Sequence, residues 1–159
     1  MQNLLFCDPK KCLGCRICEF ACSATKQKTT NPSFSRIHVV NFEPIGSLSF
    51  TCVQCNLPAR CVNVCPPKAL SQRENGVIVV DENKCNGCGW CIQACPFGAI
   101  TFNPDTKKAM ICDLCDGDPE CVKYCPFDAL TFSPIDEITY NLRKNALTVL
   151  LKGLVDKEA

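Results

Sequence analysis

The chain has 159 residues, which is enough for one domain or two small ones. Its formal net charge is +1 with the cysteines counted as neutral, and no basic stretch is long enough to indicate a nucleic-acid surface. The 17 cysteines far exceed an ordinary globular composition, while the other apolar residues fall in short runs. We therefore expect a fold that depends on bound metal or on cross-links more than on a large apolar core.

Short apolar runs bounded by Pro, Asn, Gly or Asp predict strands along the whole chain. In chain order these strands are expected at residues 4–7, 36–42, 48–51, at Leu70, and at residues 77–80, 99–102, 109–111 and 129–132. Asn75-Gly76 and Asn103-Pro104-Asp105 are turn signals between them. Short helices are expected within the cysteine motifs described below, for example over residues 119–125. The pattern indicates an α+β fold.

Two segments have a different composition. Residues 23–35 are polar, which predicts a long loop or hairpin insertion that either faces a partner or is simply solvated. Residues 134–159 predict a C-terminal helix, because Pro134 and Asp136 can start one and apolar residues recur on one face. These apolar residues are Ile138, Leu142, Ala146, Val149, Leu150 and Leu154. The helix either packs against the rest of the chain or offers a docking surface to another subunit or to a second copy.

Sixteen cysteines form four motifs of four, and Cys7 stands outside them. Two motifs have the compact spacing C-x2-C-x2-C-x3-C, namely Cys12, Cys15, Cys18 and Cys22, and Cys85, Cys88, Cys91 and Cys95. Two have the wide spacing C-x2-C-x5-C-x3-C, namely Cys52, Cys55, Cys61 and Cys65, and Cys112, Cys115, Cys121 and Cys125. The alternation of compact and wide motifs indicates a duplicated two-motif unit.

The spacing predicts four 4Fe–4S clusters, because each iron of a cubane takes one thiolate and there are four sets of four. Structural zinc usually uses two separated Cys-x2-Cys pairs, often with histidine, whereas His38 lies far from every motif. A disulfide framework is disfavoured because we expect no signal segment before Cys7. Catalytic thiols would need a neighbouring base, for which no histidine is available.

The motif set resembles the four-cluster, ferredoxin-like electron-transfer subunits of molybdenum and tungsten oxidoreductases, hydrogenases and carbon monoxide dehydrogenases. The segments that carry the resemblance are Phe6–Cys15, Thr51–Cys55, Ala94–Ile100 and Ile111–Cys115, and it extends over residues 4–132. It implies two ferredoxin-like lobes related by pseudo-twofold symmetry and held together by the clusters. One lobe would comprise residues 1–35 and 104–133, with motifs 1 and 4. The other would comprise residues 36–103, with motifs 2 and 3, and residues 134–159 would add the C-terminal helix.

The resemblance also implies how the motifs share clusters, since the last cysteine of each motif would ligate the cluster of its neighbour. The four implied ligand sets are Cys12, Cys15, Cys18 and Cys125; Cys22, Cys112, Cys115 and Cys121; Cys52, Cys55, Cys61 and Cys95; and Cys65, Cys85, Cys88 and Cys91.

In function, the resemblance implies a non-catalytic subunit that relays electrons between a catalytic oxidoreductase subunit and a further redox subunit or carrier. The first expected partner is a molybdenum- or tungsten-pterin enzyme acting on formate or an aldehyde, and the second is a hydrogenase or carbon monoxide dehydrogenase. The alternatives are a freely diffusing polyferredoxin and a conductive filament built by self-association through the C-terminal helix. The sequence contains no run of eighteen apolar residues that would predict a membrane span, and we expect a cytoplasmic location in an anaerobe or microaerophile.

Four residues outside the motif pattern carry separate expectations. Cys7 is expected to be a small buried side chain. Trp90, between two motif cysteines, is expected to shield a cluster from water. Phe97 and Phe127, each after a Cys-Pro pair, are expected to pack in the core.

Overall fold

The computed structural model describes residues 2–55 and 58–155, and the side chains of residues 2–55 and 58–149. These residues form short strands and helices, with 3-10 helices at Pro32–Phe34 and Leu114–Gly117. In chain order the elements are β1 (Asn3–Cys7), α1 (Ile17–Gln27), β2 (Ile37–Phe42), β3 (Gly46–Thr51), α2 (Arg60–Asn63), β4 (Leu70–Gln72), β5 (Ile78–Val80), α3 (Trp90–Ala94), β6 (Thr101–Phe102), β7 (Ala109–Met110), α4 (Glu120–Lys123), β8 (Leu130–Pro134) and α5 (Ile135–Val155). The expected mixture of small sheets and helices is confirmed.

The strands pair into four antiparallel two-stranded sheets within the described ranges. Three of these sheets join strands that follow one another in the sequence, namely β2–β3, β4–β5 and β6–β7. The fourth joins β1 to β8, so that Cys7 lies opposite Leu130 and Asn3 lies opposite Pro134. The backbone N–H of Asp8 continues this pairing with a hydrogen bond of 2.7 Å to the carbonyl of Ala129. The start of the first cysteine motif is thereby held beside the end of the fourth.

Buried side chains form two clusters in which cysteine is a major component. The larger contains Leu70, Ile78 and Ile111 with cysteines of the second, third and fourth motifs. The smaller contains Ile37 and Leu130 with Cys7 and cysteines of the first and fourth motifs. Because thiol groups occupy so much of both clusters, the apolar contacts depend on what those thiols bind.

The expected loop over residues 23–35 is wrong in its first part. Helix α1 continues to Gln27 and ends at Lys28, whose left-handed backbone (φ 53°) lets its N–H reach the carbonyls of Ser23 and Ala24. Ser23 is fully buried, and its hydroxyl donates to the carbonyl of Phe20 at 3.0 Å. The polar composition reflects the solvent-facing side of an amphipathic helix, which can be mistaken for a loop when the helix begins inside a cysteine motif.

The expected C-terminal helix is present as α5, and residues 156–159 of that expectation lie outside the described residues. Its first turn follows β8 directly, but the helix is exposed over most of its described length. Tyr140 is 65%, Leu147 59% and Val149 58% exposed. The interpretation that this helix packs against the rest of the chain is therefore wrong for most of residues 135–149. None of the described helices combines the length and the apolarity needed to cross a bilayer.

Candidate metal centres

One cavity gathers cysteines from the second and third motifs. Cys52, Cys55 and Cys61 line a space of about 340 Å³ together with Cys95. Helix α2 carries Cys61, and Cys95 follows directly after α3, so the contact between these two short helices brings the two cysteines to the same cavity. The remaining lining is mostly apolar and includes Ile78, Ala99 and Ile100.

A second, smaller cavity gathers cysteines from the first and last motifs. Cys12, Cys15 and Cys18 line it with Cys125, which lies more than a hundred residues away in sequence. The pairing of β1 with β8 accounts for this proximity, because Leu130 of β8 also lines the cavity.

Helix α1 places Cys22, the last cysteine of the first motif, beside Cys112, Cys115 and Cys121 of the fourth motif. Burial raises the pKa of Cys121, and the neighbouring sulfurs of Cys112, Cys22 and Cys115 raise it further. Burial and, in smaller measure, Cys22 also raise the pKa of Cys112. Helix α1 packs against α4, which carries Cys121, and this packing places the end of the first motif beside the fourth.

The remaining grouping joins the second and third motifs a second time. Burial raises the pKa of Cys91, with smaller contributions from Cys65 and Cys85. The backbone N–H of Ala69 donates to Cys65 Sγ at 3.2 Å, and that of Ala109 donates to Cys85 Sγ at 3.5 Å. Cys88 is exposed and is grouped with these cysteines by sequence alone.

The surroundings of the thiols suit metal-bound thiolates. Backbone N–H groups donate to the last cysteine of three motifs, at 3.3 Å for Cys22, 3.2 Å for Cys65 and 3.4 Å for Cys95. Such bonds favour the ionised sulfur. Burial acts in the opposite direction and raises the pKa of Cys18 and of Cys52 to about 12. Positively charged iron would supply the compensation that these thiolates need.

The cysteines surround cavities instead of meeting at one point. Over residues 2–55 and 58–149, no three His, Cys, Asp or Glu side chains are close enough to hold a single metal ion. A cubane offers a separate iron to each thiolate, so ligands placed around a cavity fit that group.

Glycine is required at one loop of the third motif. Gly87 has a left-handed backbone (φ +71°), and a Cβ there would lie 2.6 Å from the backbone carbonyl oxygen of Lys107. Gly14 occupies the corresponding position of the first motif with the same φ of +71°. The loops thus approach other backbone or side-chain atoms more closely than any larger residue allows.

Sequence reasoning missed a group of charged residues beside the fourth motif. Asp113, between Cys112 and Cys115, accepts contacts from Lys26 Nζ at 2.7 Å and from Arg36 Nη1 at 2.8 Å. Burial alone would raise the pKa of Asp113, but the hydrogen bond from Lys26 and the charge of Arg36 lower it below its usual value. The partners are separated by up to 87 residues, so no local pattern could have revealed them.

Gln54 was also missed, although it lies inside the second motif. Its side chain is almost fully buried; it donates to the carbonyl of Cys112 at 2.6 Å and accepts the N–H of Ile78 at 2.8 Å. This single amide therefore links the second motif to the fourth. A glutamine between two motif cysteines was the available signal, but it does not identify its partners.

The expectations for residues outside the motif pattern have mixed outcomes. Cys7 is buried, as predicted. Phe97 and Phe127 were wrongly expected in the core: they are 50% and 42% exposed, and each lines one of the two cavities. Trp90 is 59% exposed at the start of α3, which leaves most of its ring in water.

Comparison with known proteins supports the iron–sulfur interpretation. Residues 78–101 match the family model described as a 4Fe-4S binding domain. A stretch of 83 residues is 47% identical to the polyferredoxin-like subunit of an aliphatic sulfonate oxidoreductase from Pyrococcus furiosus, covering 51% of this chain and 47% of that protein. One subunit of the anaerobic dimethyl sulfoxide reductase of Escherichia coli K12 is 39% identical over 104 residues, which cover 55% of this chain and 48% of that protein. The electron transport protein HydN of the same organism is 37% identical over 95 residues, which cover 55% of this chain and 53% of that protein.

The chain thus spans about half the length of these curated relatives. Their names describe subunits of oxidoreductases and an electron transport protein, and the matched family model is that of a 4Fe–4S binding domain. Residues 78–101 thus match a 4Fe–4S binding domain, and about half of the chain is similar to subunits of oxidoreductases and to an electron transport protein.

Proposed function

We propose that this chain carries four 4Fe–4S clusters and relays electrons as the non-catalytic subunit of an oxidoreductase. The observation that supports this most directly is the pair of cavities that are each lined by four motif cysteines, three from one motif and one from another. Sixteen motif cysteines suffice for four cubanes, and Cys7 is not needed as a ligand.

The proposed ligand sets follow the groupings described above. They are Cys12, Cys15, Cys18 and Cys125; Cys22, Cys112, Cys115 and Cys121; Cys52, Cys55, Cys61 and Cys95; and Cys65, Cys85, Cys88 and Cys91. Each set takes its fourth member from another motif, so the clusters would tie separate segments together. On this proposal the chain has two lobes, with the boundaries expected from the sequence.

The protein's own contribution to electron transfer is to position the clusters and to shield them from water. When bound, a 4Fe–4S cluster accepts and donates single electrons without making or breaking covalent bonds to a substrate. The motif loops hold the thiolates, backbone N–H groups stabilise their charge, and apolar side chains such as Ile78 and Ile100 keep water out. No residue of this chain is assigned a catalytic role.

The proposed partner is a catalytic oxidoreductase subunit, with a molybdenum- or tungsten-pterin enzyme for formate or an aldehyde as first candidate. A hydrogenase or a carbon monoxide dehydrogenase is the second. Two of the related proteins are named as parts of oxidoreductases, which supports a fixed partner over a freely diffusing carrier. The exposed apolar residues of α5 also support a fixed partner, since they offer a surface to which a neighbouring subunit can bind. We place this complex in the cytoplasm.

The experiment that tests the proposal is isolation with native partners under strict anoxia, followed by metal analysis. We expect about sixteen irons per chain and stoichiometric molybdenum or tungsten on a co-purifying subunit. Sixteen irons without a partner would favour a free carrier or a filament, which light scattering would separate by size. Far fewer irons would contradict the four-cluster assignment.

A matched pair of variants tests the ligand sets. Cys95→Ala removes a proposed ligand, so we expect it to lose one cluster, or about four irons per chain. Cys7→Ala removes a buried thiol that is outside the proposed sets, and it should keep the full iron content. Equal iron in the two variants would refute the assignment of Cys95.

A further inference from the structure

Two of the proposed clusters have surroundings of opposite charge. This inference rests on the proposed function, and it concerns the clusters held by the first and fourth motifs. One set contains Cys18 and the other contains Cys22, so helix α1 supplies a ligand to each.

The set that contains Cys22 has an excess of positive charge beside it. Lys26 and Arg36 both contact the carboxylate of Asp113, so these three side chains together carry a net charge of +1. The side chains of Lys26 and Arg36 are each 16% exposed and that of Asp113 is 19% exposed, so water screens the three charges only weakly. The backbone N–H of Arg36 also donates to Cys22 Sγ, which fixes this residue against the ligand set.

The set that contains Cys18 has a buried negative charge beside it. Glu19 follows Cys18 directly and is only 4% exposed. Its Oε1 accepts the N–H of Val39 at 2.7 Å, and its Oε2 lies 3.8 Å from Nε of Arg16. The Arg16 side chain is 54% exposed, so its positive charge is largely screened by water while the carboxylate is not.

Helix geometry places these charges in order along one element. Glu19 and Lys26 are seven residues apart, which is about two turns, so they lie on the same side of α1 about 10 Å apart along its axis. Cys18 and Cys22 are one turn apart on the same helix. Beside the larger effect of burial, the charge of Glu19 raises the pKa of Cys18, in one ligand set, and the charge of Lys26 opposes the rise in the pKa of Cys115, in the other.

We propose that α1 sets an energy difference between its two clusters. Lys26, supported by Arg36, makes the cluster on Cys22, Cys112, Cys115 and Cys121 the easier one to reduce. Glu19 makes the cluster on Cys12, Cys15, Cys18 and Cys125 the harder one, because an added electron is stabilised by positive charge and destabilised by negative charge. With both clusters bound, an electron would pass from the cluster on the set that contains Cys18, which would be oxidised, to the cluster on the set that contains Cys22, which would be reduced, with no bond or proton transferred. These residues are positioning residues whose effect is electrostatic.

The test is a potentiometric titration of the iron-loaded chain, followed by electron paramagnetic resonance under anoxia. Lys26→Met removes the charge and keeps the length of the side chain. We expect one reduction wave to move to lower potential, with about a tenfold loss in its reduced-to-oxidised ratio at a fixed potential, or about 59 mV. Lys28→Met is the control, since Lys28 lies at the end of the same helix, and Lys26→Arg should restore the wild-type wave.

Glu19→Gln tests the same idea from the other side. Glutamine keeps an oxygen that can accept the N–H of Val39, so the local structure is preserved while the charge is removed. We expect this variant to shift a different reduction wave from the one that Lys26→Met shifts. The shift should be to higher potential and of similar size. Lys26→Met and Glu19→Gln should therefore each reduce the difference between the reduction potentials of the two clusters. The double variant should reduce this difference most.

The outcomes separate a failure of this inference from a failure of the proposed function. If the wild type holds sixteen irons and neither variant moves its wave, or both move the same wave, this inference is wrong while the proposed function stands. A shift as large in Lys28→Met would also overturn it, since surface charge alone would then explain the effect. If Lys26→Met loses iron, Glu19→Gln decides the question. A wild type without these clusters would contradict the proposed function first.

Discussion

At the scale of single residues, spacing along the chain carried most of the predictive information, and three-dimensional neighbours carried the rest. The cysteine positions were readable because cluster ligation fixes the intervals between thiols. The contacts of Asp113 and Gln54 could not be predicted, because their partners lie on other segments and no interval in the sequence specifies these partners. Phe97 and Phe127 were misassigned because an aromatic side chain can be apolar and still line the mouth of a site.

Gly87 gives a prediction at this scale. Gly87→Ala should lower the stability of the iron-loaded protein by about 3 kcal/mol, because a left-handed residue with a Cβ is strained and the Cβ would also overlap the Lys107 carbonyl. Gly98→Ala is the matched control: Gly98 also has positive φ (+63°), but nothing lies within 4 Å of its Cβ position, and about 1 kcal/mol is expected. The measurement is the thermal midpoint for loss of cluster absorbance under anoxia. Equal midpoints for the two variants would show that the overlap has no consequence.

At the scale of elements, the strands were predicted well and the helices less well. The apolar runs predicted the eight strands found in the described residues, with bounds that differ by a few residues, because each run is bordered by residues that end strands. Helix α1 was missed in part because its buried residues are cysteines, a glutamate and a serine, which do not produce an apolar periodicity. The pairing of β1 with β8 could not be deduced, since nothing in either strand specifies so distant a partner.

Helix α5 gives the prediction for this scale. Deletion of residues 135–159 should leave the iron content unchanged and the thermal midpoint within a few degrees, because the described part of the helix buries little of its surface. The same deletion should abolish co-purification with the catalytic subunit. In the full chain, Leu147→Asn should weaken that association while the neighbouring Thr148→Ala should not. Retention of the partner by the deleted chain would exclude α5 as the docking surface.

At the scale of the whole molecule, the stability of the fold depends on metal binding. Among the described residues, the largest fully buried apolar side chains are Ile37, Ile78 and Leu114, and cysteines are a large part of both clusters of buried residues. A chain that buries so little hydrocarbon relies on ligand binding for its folding free energy. Composition alone indicated this dependence, whereas the division of the core into two clusters required the structure.

Removal of iron should therefore unfold the protein. Anaerobic treatment with a strong chelator is expected to abolish the native far-ultraviolet circular dichroism together with the cluster absorbance. Buffer without chelator, under the same anoxia, is the control. If the iron-free chain kept its native circular dichroism spectrum, hydrocarbon contacts alone would be sufficient to stabilise the fold, and the prediction would be wrong.

The pairing of the first strand with the last has a consequence for how the protein is made. On the proposed ligand sets, Cys12 meets Cys125 only after more than a hundred further residues have been synthesised, roughly 10 s later at ordinary rates of translation. The second and third motifs are synthesised earlier and close to each other, so their clusters could be inserted while the chain is still growing. The nascent first motif, in contrast, remains open to oxygen and to foreign metals until β8 emerges, which makes it the part of the chain that depends most on protection during assembly.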